Sequence, residues 1–66
     1  MADAKAIGSA IRAARKNLGI TQQVLAELCG LSERTVRDIE AGTGTSSLAA
    51  VAAAAAAVGL HLAAVP

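Results

Sequence analysis

Between Gly30 and Gly42 the chain sets Ser32, Glu33, Arg34, Thr35 and Arg37 almost side by side. Two guanidiniums, two hydroxyls and a carboxylate at that density suit the reading of a polar surface, not the breaking of a bond. A guanidinium can donate to guanine O6 and N7 together, worth about 1–3 kcal/mol of discrimination between bases. That makes Arg34 and Arg37 the leading specificity candidates. Glu33 could accept from cytosine N4 or orient one of the two arginines. It is equally well explained as a favourable acid in the first turn of a helix.

No catalytic residues are identified: there is no nucleophile–base arrangement, no paired carboxylates and no phosphate loop. His61 has no acidic neighbour in sequence and reads as a solvent-facing or interface side chain. The lone Cys29 can form no internal disulfide and has no metal-ligand cluster around it, so it reads as a small apolar filler. No metal and no cofactor are expected.

Residues that read a surface need elements to hold them. The segment Gln22–Ala41, QQVLAELCGLSERTVRDIEA, has the pattern of two short helices joined by a sharp turn. Counting from Gln22, the fifth position is Ala26, where a larger side chain would push the helices apart. The ninth is Gly30, in the turn. Leu25, Cys29, Leu31, Val36 and Ile39 fill the inward positions. Such a pair holds one helix against another so that its outer face can enter the DNA major groove.

The fold predicted from the remaining pattern is all-α, with helices over about 4–18, 22–29, 33–41 and 47–58. The inward residues expected are Ile7, Ile11, Ala14 and Leu18 in the first helix and Val24, Leu25 and Leu28 in the second. Val36 and Ile39 are expected in the third, and Leu48, Val51 and Val58 in the fourth. Thr21, Ser32 and either Ser46 or Ser47 can cap helices; Gly19, Gly30 and Gly59 can end them. The last segment, 60–65, alternates partly and reads as a tail or a strand. As a strand its cheapest partner is the same segment of a second copy.

Sixty-six residues allow one domain, 1–66. Hydrophobic residues make up 55% of the chain but none is aromatic, so the core must be thin and closely packed, which points toward a partner subunit completing it. The net charge of +1 is no nucleic-acid signal in itself and predicts a shallower salt dependence than strongly basic binders show. Lys5, Arg12, Arg15 and Lys16 cluster in the first segment, opposed only by Asp3. Arg12 and Lys16 could contact phosphate or a partner, although solvated surface explains them as simply. Leu48–Val58 is too short to span a bilayer, which takes about 20 residues. Met1-Ala-Asp lacks the charged and apolar regions of a signal peptide. The chain reads as soluble and cytoplasmic, with no membrane partner.

The phrases Leu18-Gly-Ile-Thr-Gln-Gln-Val-Leu-Ala26 and Leu31-Ser-Glu-Arg-Thr-Val-Arg-Asp-Ile-Glu-Ala-Gly42 resemble the lambda-repressor-like, xenobiotic-response-element family of helix-turn-helix regulators. The resemblance covers about residues 5–60. The ending Gly59–Val65 is similar to that of HipB-type antitoxins, which pair with HipA-type kinases. It implies dimerisation through an intermolecular two-stranded sheet formed by Leu60, His61, Leu62, Ala63, Ala64 and Val65.

Carried over by position, the resemblance implies base contacts by Ser32, Glu33, Arg34 and Arg37. It implies phosphate contacts by Gln22, Gln23 and Thr35 and by the loop of Gly42, Thr43 and Gly44. Arg15 and Glu40 match a structural ion pair between the first and third helices. The function implied is a dimeric repressor of a palindromic operator, acting as the antitoxin of a HipA-like serine/threonine kinase and autoregulating its operon. The alternatives are a stand-alone repressor of the same fold, or a helical protein-interaction module that has lost DNA binding.

Overall fold

Four helices carry most of the chain in the computed structural model, which describes residues 2–63: α1 (Ala2–Asn17), α2 (Gln22–Cys29), α3 (Glu33–Ala41) and α4 (Leu48–Ala57). Their ends follow from local chemistry. Thr21, Ser32 and Ser47 each stand in extended backbone and accept the N–H of the residue three positions on, at 3.1 Å in every case. This satisfies one of the orphan amides at each helix start. Gly30 and Gly42 end α2 and α3 in left-handed backbone, at φ 70° and 73°.

The boundaries differ slightly from the sequence expectation. Helix α1 begins at Ala2 and stops at Asn17, because the Leu18 amide already turns back to Ala14 and Arg15 ahead of Gly19. Ser47 is the cap of α4 and lies outside it, and Val58 is its C-cap.

The core is made of Ile11 from α1, Leu25 and Ala26 from α2, Val36 and Ile39 from α3, and Ala54, Ala55 and Val58 from α4 and its end. Among the described residues the large side chains fully buried are Ile11, Leu25 and Val36, each contributing about 1.5–3 kcal/mol by leaving water. Ile7, Ala14 and Val51 pack half-buried against this core, whereas four other expected inward residues are exposed. Leu18 is 56% exposed, Val24 38%, Leu28 63% and Leu48 75%.

The reasons are geometric. The inward line of α2 runs through Gln22, Leu25, Ala26 and Cys29, which places Val24 and Leu28 on an outer face. Leu18 falls past the end of α1. Leu48 begins α4 at the rim of two apolar clefts, one of them between α1 and the tail.

No strand is present among the described residues. Leu60 donates its amide to Ala55 at 2.9 Å, and Leu62 packs half-buried against the core while His61 and Ala63 face solvent. A strand needs a ladder partner, and none of the described residues is placed to provide one. Ala64 and Val65 lie outside the described residues.

Helix α1 meets the end of α3 backbone to backbone. A Cβ on Gly8 would strike the Ile39 carbonyl oxygen and stand 2.9 Å from that of Glu40; one on Gly42 would stand 2.6 Å from the Lys5 Cα. Glycine in a helix usually costs about 0.5–1 kcal/mol relative to alanine. At Gly8 that preference should reverse. Gly8→Ala is expected to lower stability by about 1–3 kcal/mol through overpacking, read as a lower urea midpoint with an unchanged slope. A midpoint equal to or above that of the natural chain would show that α1 and α3 can part freely.

Candidate nucleic-acid interface

The turn between α2 and α3 sets the geometry. The Leu31 amide bonds back to Ala26 at 3.0 Å across Gly30, and Ser32 then starts α3 as its cap. The Ser32 hydroxyl also lies 2.9 Å from that of Thr35. Both hydroxyls are therefore engaged at the helix start, which sequence reasoning had divided between base and phosphate. Val36 and Ile39 bury the inner face of α3. Glu33, Arg34 and Arg37 remain exposed.

Glu33, Arg37 and Glu40 share one line of α3, at i, i+4 and i+7. Arg37 Nη2 donates to Glu33 Oε2 at 3.1 Å, and both side chains are about half exposed. Such a pair contributes about 0.3–0.5 kcal/mol, enough to bias the direction of Arg37 without fixing it. Arg34 makes no ion pair among the described residues.

At its far end the same line closes. Arg15 Nε donates to Glu40 Oε2 at 2.7 Å and Nη2 to Oε1 at 3.0 Å, a two-bond fork whose side chains are 10% and 2% exposed. The remaining Arg15 nitrogen donates to the Ile20 carbonyl at 2.9 Å. Gln22 Nε2 adds a third bond to the Glu40 carboxylate, at 3.1 Å to Oε1. No pattern local to either residue announces that last contact. Gln22 therefore has one amide hydrogen committed inward and a second one left for an outside acceptor.

Burial alone pushes the Glu40 carboxyl up. The hydrogen bonds from Arg15 and Gln22, with the charges of Arg15 and Arg12, outweigh burial and hold it below the ordinary carboxylate value. The Arg15 guanidinium is pushed up, first by its hydrogen bond to Glu40.

The loop after α3 is ordered by its own hydroxyls. The Thr43 hydroxyl and amide both donate to the Asp38 carbonyl at 3.3 Å, and Thr45 lies 2.9 Å from the Thr43 hydroxyl. Gly44 takes φ +75°, and its amide makes no hydrogen bond among the described residues. Gln23 is exposed beside Gln22 at the start of α2.

Glu33 and Arg37 are thus brought together, as are Ser32 and Thr35, and Gln22 joins Arg15 and Glu40. Arg34, Gln23 and Gly44 stand separately. Gly8, which seats α1 on the end of α3, was not singled out by sequence reasoning; its only signal was a glycine inside an otherwise strong helical pattern. Among the described residues no group of His, Cys, Asp and Glu could hold a metal ion, and no helix is long and apolar enough to cross a membrane.

The ion pair generates a test. Removing one partner of a buried pair costs about 3–5 kcal/mol, because the other charge is left unpaired. Glu40→Leu is expected to unfold most of the population, and Arg15→Met/Glu40→Leu to recover much of the loss. The Glu40 carboxyl titrates lower when folded than when unfolded. Its contribution is therefore fully present above the unfolded value, about 4.3, and disappears as pH falls through the folded one. Chemical denaturation across acid pH should show that loss in the natural chain and not in Arg15→Met/Glu40→Leu. Equal acid sensitivity in both would remove Glu40 as its source.

Residues 11–65 match a protein-family model described as helix-turn-helix.

Proposed function

Because the chain belongs to the helix-turn-helix family of DNA-binding regulators, we propose that it is a sequence-specific transcriptional repressor acting as a homodimer on a palindromic operator. The carrying observation is the state of α3. Its inner face is buried, its C-terminal end is fastened by Arg15 and Gln22, and Glu33, Arg34 and Arg37 are left open. Nine residues at 1.5 Å each give a rod of about 13 Å. That length suits a major groove about 12 Å wide.

In this reading Arg34 and Arg37 bond base edges, with Glu33 steering Arg37, and Ser32 faces the groove from the helix start. Gln22, Gln23, Thr35, Thr43 and Gly44 contact phosphates. Gln22 uses the amide hydrogen that Glu40 leaves free, and Gly44 its backbone N–H. The segment Leu60–Val65 joins two copies as a two-stranded sheet. Leu62 is then the residue that ties the sheet to each core, and His61 points outward. Two copies place their recognition helices in successive major grooves, about 34 Å apart.

The finer reading is an antitoxin that binds a HipA-like serine/threonine kinase in the cytoplasm and represses the operon encoding both. The likeness of the Gly59–Val65 ending to HipB-type regulators supports it.

Binding to the DNA upstream of the chain's own gene, against random duplex at matched salt, tests the repressor. The natural chain should prefer the upstream DNA by about 10³-fold or more. Arg34→Ala/Arg37→Ala should lose most of that preference while keeping its fold and oligomeric state. No preference in the natural chain would reject the repressor and favour an interaction module. Co-purification of an adjacent kinase tests the antitoxin assignment separately; its failure would leave a stand-alone repressor.

A further inference from the structure

Helix α1 has two unlike flanks. On one, Ala6, Ile7 and Ala10 line an apolar cleft with Leu60 and Leu62 from the tail. On the other, Lys5, Ser9, Arg12 and Lys16 recur at steps of four, three and four residues and are all exposed. This second flank borders α3. Gly8 and Arg15, the neighbours of the stripe around the helix, touch the Ile39 and Glu40 carbonyls and the Glu40 carboxylate. Lys5 packs its backbone directly on Gly42, where the loop of Thr43 and Gly44 begins. The charge of Arg12 reaches Glu40, at the closed end of the recognition line.

Solvated helical faces usually interleave opposite charges at i, i+4. This stripe does not. Lys5, Arg12 and Lys16 make no ion pair among the described residues. Arg12 and Lys16 repel each other at i, i+4, and Lys5 closes the first turn of α1, where the helix dipole disfavours a cation. Lys16 gains from the dipole in the last turn of α1 and Arg12 from Glu40. The Arg12–Lys16 repulsion and the Lys5 placement nevertheless both cost the isolated fold a little, and an anion alongside would relieve them.

We infer that the Lys5–Arg12–Lys16 flank of α1 is a second DNA-binding surface, one that follows the phosphate backbone beside the groove entered by α3. The inference rests on the repressor reading and extends it. Base edges are read by α3, while α1 contributes attraction that is blind to sequence. Duplex DNA fits because its phosphates recur along a line, as these cations do, and because the flank is continuous with the recognition helix through Gly8, Arg15 and Gly42.

The test is the salt dependence of binding for Lys5→Gln/Arg12→Gln/Lys16→Gln, on the upstream DNA and on random duplex. Each lost phosphate contact should lower the slope of log K against log salt by about 0.9, so the triple variant should lose about 2 to 3 per subunit on both duplexes. The ratio of upstream to random affinity should stay unchanged. A matched control, Ala49→Glu/Ala52→Glu/Ala56→Glu on the exposed side of α4, lowers net charge equally and should leave the slope nearly intact.

A slope no lower than that of the control, or a changed affinity ratio, would overturn the inference. If the slope drops but the natural chain shows no preference for upstream DNA, the backbone surface stands and the operator reading fails. If preference is present and the slope is unmoved, the reverse holds. Should the triple variant melt early, Lys5→Gln/Lys16→Gln, which leaves Arg12 beside Glu40, should still lose about 1 to 2 of slope.

Discussion

Everything in this small fold turns on one carboxylate. Glu40 receives two bonds from Arg15 and one from Gln22, and Arg15 spends its remaining nitrogen on the Ile20 carbonyl. Helices α1, α2 and α3, and the link between the first two, are thereby joined at a single buried point. The three large apolar side chains buried outright among the described residues are few to dictate how helices dock. A charge out of water is far less forgiving, since a docking that leaves one donor or acceptor unmatched carries several kcal/mol of penalty. Apolar burial holds the helices together; the ion pair decides their angle.

That division explains how α3 is presented. Its start is fixed by the Ser32 cap and the Gly30 turn, its middle by Val36, and its end by Glu40 and the contact of Gly8 with the Ile39 carbonyl. What stays free is the outer line of Glu33, Arg34 and Arg37. A helix held at three points loses little further freedom on docking, so less of its interaction energy is spent on ordering.

The elements were legible because their signals are local. A hydroxyl followed by apolar spacing marks a start, and a glycine beyond the last periodic residue marks a stop; Thr21, Ser32, Ser47 and Gly30 act in those ways, and Gly42, read as loop, also ends α3. Facing was less legible. Leu18, Val24, Leu28 and Leu48 have the right type for a core, but Leu18 falls past the end of α1, Val24 and Leu28 lie on the outer face of α2, and Leu48 sits at the rim of two clefts. The Gln22–Glu40 bond spans 18 positions and leaves no trace in either neighbourhood. Arg15 and Glu40 were suggested by family resemblance, not by their own surroundings. For 60–65 periodicity leaves tail and strand both open, and no strand is present among the described residues 60–63.

The alanines of α4 have an effect beyond packing. Ala54 and Ala55 fill core positions with single methyl groups, and the chain has no Phe, Tyr or Trp. Unfolding consequently uncovers little apolar surface, and the heat-capacity change scales with that surface. A small heat-capacity change flattens the curve of stability against temperature. A calorimeter should record a broad, shallow melt with little cold-side curvature, so α3 would stay seated with nearly constant stability over a wide span of temperatures.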